Sequence, residues 1–165
     1  MSPRGLSHLG PDGSARMVDV GAKPATHRVA VAGASVRMKR STWDLIRKGR
    51  ASKGDVLEVA RIAGIGAAKQ TASLIPLCHP IALTRAGIDY SLSPGRVSIR
   101  ARAEAIDRTG VEMEALTAAA VCALTIYDMC KAIDRGMTIG RICLLEKSGG
   151  KSGRFMRQGK RKRKP

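Results

Sequence analysis

A histidine held between prolines, and an aspartate three residues ahead of a lysine, are the first places in this chain where chemistry could reside. Pro76 and Pro80 fix the backbone around Leu77, Cys78 and His79, so the segment reads as a rigid loop. Cys78 and His79 cannot act as a dyad, because neighbours on an extended segment point apart. A single cysteine is commonly a small buried apolar group, whereas His79 has no apolar periodicity around it and suits a site better than a core. Asp128 and Lys131 share one helical face and can pair. Their neighbours Tyr127, Met129, Cys130 and Ile133 predict burial, where charges need partners or a ligand and their proton affinities shift.

Two further features point to phosphate. Lys53 precedes Gly54 at the start of a predicted helix, where the helix dipole disfavours a cation unless an anion is present. Lys69 follows on the same segment and could equally be a solvated surface lysine. The run Ser148-Gly149-Gly150-Lys151-Ser152-Gly153 can present successive N–H groups to an anion. It is not a Walker A loop, since the position five before Gly150 is not glycine. A flexible strand exit is the plainer alternative.

The elements that must position these groups follow from periodicity. Residues 1–14, rich in glycine and proline, read as a flexible arm. His27 to Met38 reads as a strand bending at Gly33, and Ser41 as the cap of a short helix, Thr42 to Lys48, closed by Gly49. Apolar spacing predicts a helix from Lys53 to Leu74 with a break near Gly64. Residues 81–104 alternate about Ser93-Pro94-Gly95 as a β-hairpin. Val111 to Ile133, free of glycine and proline, predicts a long helix buried on more than one side, ended by Gly136. Thr138 to Leu145 reads as a last strand. This order suggests one α+β domain, residues 15–156, with helices on one face of a mainly antiparallel sheet.

Composition bounds the function. The 165 residues suffice for one core, and with four aromatic side chains a base-stacking platform for single-stranded nucleic acid is disfavoured. The net charge of +17 would ordinarily suggest nucleic acid, but the stretch from Lys151 onward holds eight basic residues and no acid, leaving +9 elsewhere. Residues 157–165, RQGKRKRKP, read as a disordered basic tail able to hold nucleic acid only non-specifically. Four cysteines without a C-x-x-C pair, and no apolar segment of signal-peptide type at the start, suggest reduced thiols in the cytoplasm. The most apolar run, Ala115 to Tyr127, falls short of a membrane span. Neither a nucleic-acid-binding nor a scaffold role explains the loop before Pro80 or the charges at Asp128 and Lys131.

Taken in order, several strings resemble the MoaC family, the cyclic pyranopterin monophosphate synthases of molybdenum cofactor synthesis. They are Met17 to Val20, Lys53 to Asp55, Ala60 to Ile65, Leu74 to Pro80, Thr109 to Thr117, Leu124 to Ala132 and Lys147 to Gly153, together spanning about residues 15 to 155. The resemblance implies a ferredoxin-like fold, a hexamer built as a trimer of dimers with sites between subunits, and a lyase. Its implied substrate is 3′,8-cyclo-7,8-dihydroguanosine 5′-triphosphate, rearranged to cyclic pyranopterin monophosphate with loss of pyrophosphate. It implies catalytic roles for Asp128, Lys53 and Lys131 and substrate contacts from Leu77, Cys78, His79, Met113 and Glu114. Glu112, Lys69 and Lys147 also fall on matching positions. No cluster in the sequence suggests a metal held by the protein, and magnesium could still accompany the triphosphate. Glu114 and Asp128 stand roughly 21 Å apart on one straight helix, too far to touch one compact nucleotide from the same chain. Two sites, each completed by another subunit, would reconcile them.

Overall fold

A computed structural model describes residues 9, 12–49 and 54–158. Lys53 and residues 159–165 lie outside the described residues, as do most of residues 1–14, for which an arm is expected.

The sheet is built around β1 (Thr26–Arg37), whose residues 29–36 are all buried. β1 pairs antiparallel with β3 (Arg96–Asp107) on one side and β4 (Thr138–Ser148) on the other. β2 (Leu83–Ser93) and a short β5 (Phe155–Met156) close the flanks, giving the order β2-β3-β1-β4-β5. The α+β class with helices packed against a mainly antiparallel sheet is therefore as expected, and it is consistent with a ferredoxin-like type. The hairpin turns at Pro94-Gly95, where Gly95 takes φ 72° and its carbonyl accepts from Met38 N.

Alanine sets the spacing of the layers. Ala30, Ala32 and Ala34 of β1 face Ala103, Ala101 and Ile99 across the ladder and present a shallow surface to the helices. On it lie α2 (Val56–Lys69) and α4 (Glu112–Cys130), with the single turn α3 (Thr71–Leu74) beside them, and α1 (Arg40–Arg47) adds Ile46 to the same core. α4 is long and apolar enough to pass as a membrane span by composition, yet Ala115, Ala119, Cys122 and Ile126 pack into the core. On the opposite sheet face Arg102 and Glu104 alternate with the buried alanines, and Glu104 gathers Arg102, His27 and Arg85.

Several boundaries differ from the sequence pattern. α2 does not break at Gly64, because that glycine lets the helix pass α4: a Cβ there would stand 3.0 Å from the Ala118 carbonyl and 3.2 Å from Cys122 Cβ. The interruption falls instead at Gln70, where Thr71 Oγ1 donates back to the Ala67 and Ala68 carbonyls. Ser41 lies inside α1 and does not cap it. The cap comes from far along the chain, as the buried Asp134 carboxylate accepts from Lys39 N at 2.8 Å and Thr42 Oγ1 at 3.2 Å. The Lys39 N–H above all holds Asp134 below the usual carboxylate range. α4 stops at Cys130, before Gly136, because the chain turns there, with Ile133 N and Asp134 N both donating to the Cys130 carbonyl. β4 runs on to Ser148, which puts Lys147 on a strand.

Candidate functional site

Antiparallel register brings three chain segments to one corner of the sheet. Thr26 at the start of β1 lies opposite Asp107 at the end of β3, and Val29 lies opposite Ser148 at the end of β4. The first turn of α4 begins at the same corner, so its amino end, the exit of β4 and the glycine loop beyond it must meet. Arg28 ties them together. Its Nε donates to the Asp107 carbonyl and its Nη2 to the Arg108 carbonyl, each at 3.1 Å.

The glycines of Ser148 to Gly153 have specific reasons to be glycine. A side chain at Gly149 would strike the His27 carbonyl, and one at Gly150 would strike the Arg28 guanidinium. Both residues also take positive φ, 100° and 69°. The loop can thus wrap closely around Arg28. Beneath it is a cleft of about 280 Å³ lined by Lys23, Arg28, Arg108, Lys147 and Lys151. Five cations and a glycine-rich backbone suit an anion of several charges.

A second cleft of about 420 Å³ adjoins the first, sharing Lys23, Thr109, Gly110 and Glu112 with it. Its walls are Val18, Val20, Ile81, the Leu77-Cys78-His79 loop and Met113-Glu114. Five residues that the resemblance marks as substrate contacts, Leu77, Cys78, His79, Met113 and Glu114, are therefore brought together here, with Glu112 at the divide. Glu114 is 3% exposed and its Oε2 has no hydrogen-bond partner among the described residues. Burial, reinforced by the Glu112 and Asp107 charges, pushes its carboxyl up to about 7. Burial likewise raises the Cys78 thiol, with Glu114 adding to the effect, which keeps it an uncharged wall of the cleft.

The divide itself is an ion pair. Lys147 Nζ stands 2.9 Å from Glu112 Oε1 and 2.9 Å from Ser152 Oγ, linking α4 to the glycine loop. Glu112 and Glu114 both lie in the first turn of α4, where the helix dipole favours negative charge.

Asp128 and Lys131 are not part of these clefts. They pair with each other at 2.6 Å near the other end of α4, and both side chains are more than half exposed. The burial expected from their apolar neighbours is thus corrected. Leu124 and Ile133 beside them are exposed as well, while Ile126 and Cys130 at the same end of α4 are buried, so these groups lie on the side of the chain turned away from the core. The Asp128 hydrogen bond, and then its charge, raise the Lys131 ammonium above its usual range. Lys69, exposed at the last turn of α2, also stands outside the lining of both clefts.

Sequence reading missed Lys23, Arg28 and Arg108 as site residues. Arg28 carried a usable signal, a charged residue at the mouth of a strand whose next eight residues are buried. The other two have none apart from the general cationic surplus. Among the described residues, no group of three or more His, Cys, Asp or Glu is assembled in a form that could hold a metal.

The model of the MoaC family matches residues 17–150. A cyclic pyranopterin monophosphate synthase of Thermomicrobium roseum is 60% identical over 155 residues, covering 93% of each chain. One from Novosphingobium aromaticivorans is 57% identical over 148 residues, covering 90% of this chain and 94% of that protein.

Proposed function

This chain belongs to the MoaC family, and from that premise we propose how its clefts serve the reaction of a cyclic pyranopterin monophosphate synthase in molybdenum cofactor biosynthesis. It is a lyase that converts 3′,8-cyclo-7,8-dihydroguanosine 5′-triphosphate to cyclic pyranopterin monophosphate and pyrophosphate. The observation that carries our reading is the joined pair of clefts, one cationic and one mixed apolar and acidic, because the substrate is itself half polyanion and half heterocycle.

The triphosphate lies in the cationic cleft, where Lys147, Arg28 and Lys151 meet its oxygens and stabilise the charge that grows on departing pyrophosphate. The ring system lies against Leu77, Cys78, His79 and Met113, with the Glu114 carboxyl beneath it. A carboxyl raised to about 7 can donate a hydrogen bond or accept one near neutral pH, which suits contact with a ring carrying both donors and acceptors. To Lys69, outside the cleft lining, we assign a contact to the phosphates on the family resemblance alone.

Proton transfer during ring opening falls to Asp128, Lys131 and Lys53. Asp128 lies 14 residues along an unbroken helix from Glu114, roughly 21 Å away. A neighbouring subunit therefore supplies the Asp128 end to each site, in a hexamer made as a trimer of dimers. Burial at that interface would remove the solvent now around the Asp128 and Lys131 pair and strengthen its coupling. The cationic lining suits phosphate oxygens and not a metal ion, so we assign no metal to the protein, and magnesium enters with the triphosphate. We place the enzyme in the cytoplasm.

The test is incubation of the purified protein with the cyclic dihydro-nucleotide, following pyrophosphate and the pyranopterin product together. Release of both in equal amounts supports the reading, and recovery of unchanged substrate overturns it.

A further inference from the structure

The cationic cleft already contains an anion that belongs to the protein. Among the described residues lining it, Glu112 is the one acid facing five cations. Its Oε1 accepts from Lys147 Nζ at 2.9 Å, and the two side chains are only 28% and 26% exposed. The same lysine donates to Ser152 Oγ on the glycine loop. Lys147 is therefore shared between helix and loop.

The bare Cα of Gly110 matches the carboxylate's position. A Cβ at Gly110 would collide with Glu112 Oε2 and Cδ. Gly110 is not among the glycines with positive φ, so its backbone does not itself demand glycine. The missing side chain leaves room for the Glu112 carboxylate to fold back over the entry to α4.

We infer that Glu112 is a resident stand-in for phosphate, which neutralises Lys147 in the empty site, yields it to the substrate's phosphates, and reclaims it as pyrophosphate leaves. This rests on the reading of the cleft as the triphosphate seat. Two electrostatic arguments make the exchange reversible. A polyphosphate brings more negative charge than one carboxylate and so wins Lys147 on arrival. Once Lys147 is taken, Glu112 loses its ion-pair partner while it remains next to Glu114, which already feels its charge, and that repulsion favours return of the lysine. Glu112 is on this account a positioning residue that sets the ease of product release.

The experiment is calorimetric titration of the full-length protein with inorganic pyrophosphate. Glu112→Gln keeps the shape and removes the competing charge. It should bind pyrophosphate about tenfold more tightly than wild type, the scale expected for one like charge removed from a partly buried site. In turnover, pyrophosphate should become a correspondingly stronger product inhibitor, with KM and kcat falling together as release slows. Gly110→Ala moves the carboxylate without deleting it and should act in the same direction but less; it carries the test alone if Glu112→Gln does not fold. A purely structural Glu112 would do the opposite, since a lysine without its anchor binds more weakly. Unchanged or weaker pyrophosphate binding in folded variants, or none by wild type, overturns the inference. A wild-type protein that binds pyrophosphate but leaves the cyclic nucleotide untouched defeats the proposed function and leaves the exchange itself measurable.

Discussion

The two ends of α4 carry charged groups of the same kinds in opposite surroundings. At the amino end Glu112 and Glu114 sit in a corner made by three strand ends, one carboxylate held by Lys147 and the other buried with a raised proton affinity. At the carboxyl end Asp128 and Lys131 hold each other in solvent, beside the exposed Leu124 and Ile133. The chain thus closes a cleft at one end of the helix and displays an exposed ion pair at the other. The difference teaches that apolar neighbours along a helix do not predict burial by themselves. What buries a residue is the layer beneath it, and the sheet lies under one face of α4 only.

The sharpest way to break the comparison is at the exposed end. Asp128→Ala, Lys131→Ala and Lys53→Ala should each lower turnover at least about 100-fold, as expected for loss of a proton-transfer group. For the first two the far-ultraviolet circular dichroism should stay that of the folded wild type, because both side chains are more than half exposed and outside the core. Near-normal turnover by the Lys131 variant would remove it from the machinery.

Mixing the two ends is the next test. Subunits carrying Met113→Ala with Glu114→Ala, combined with Asp128→Ala subunits under conditions that allow exchange, should recover partial activity at sites receiving both intact ends. Mixed oligomers verified by mass that remain inactive would show that each site draws on one chain.

Glu114 offers a smaller effect with a definite sign. Its folded carboxyl is raised to about 7 from 4.5, so between those values the folded protein keeps a proton that the unfolded chain has released. Stability should fall as pH rises through that window, by at most about 3 kcal/mol, and level off above it. Glu114→Gln should flatten the dependence, as read from denaturant unfolding at pH 5 and pH 8. An equally steep fall in the variant would assign the effect to other groups.

The smallest effect belongs to the tail. Arg157 is fixed to β4, its N–H donating to the Leu145 carbonyl and its Nε to the Leu144 carbonyl. Truncation from Gln158 onward leaves those bonds in place and should change neither turnover nor solubility at moderate salt. A large loss of either would tie the tail to the domain.

Much of the fold was legible because its signals are local. The alternation of Ile88, Tyr90 and Leu92 with Val97 and Ile99 around Pro94-Gly95 can be a hairpin and little else. The glycine-free run that forms α4 declares a helix in the same way, though its end at Cys130 depended on contacts the run does not contain. Gly64 misled for a related reason: its propensity cost is local, but the close passage of α4 that offsets it is not. The cap of α1 came from Asp134, more than ninety residues beyond Lys39, and no pattern around Ser41 could reveal it. The candidate site divides similarly, since Leu77 to His79 and Met113-Glu114 were named from their strings, whereas Arg28 was not.

By itself the sequence determined the kinds of element, the rigid loop before Pro80, the glycine run after Ser148 and the strings that place the chain in its family, all properties of neighbouring residues. Only the tertiary structure decided that Arg28, Arg108, Glu112, Lys147 and Ser152 share one corner, and that Asp128 and Lys131 stand apart from it. The reason is register. Thr26 meets Asp107 and Val29 meets Ser148 because whole strands pair with their apolar faces aligned, and that alignment is a sum over many distant pairs.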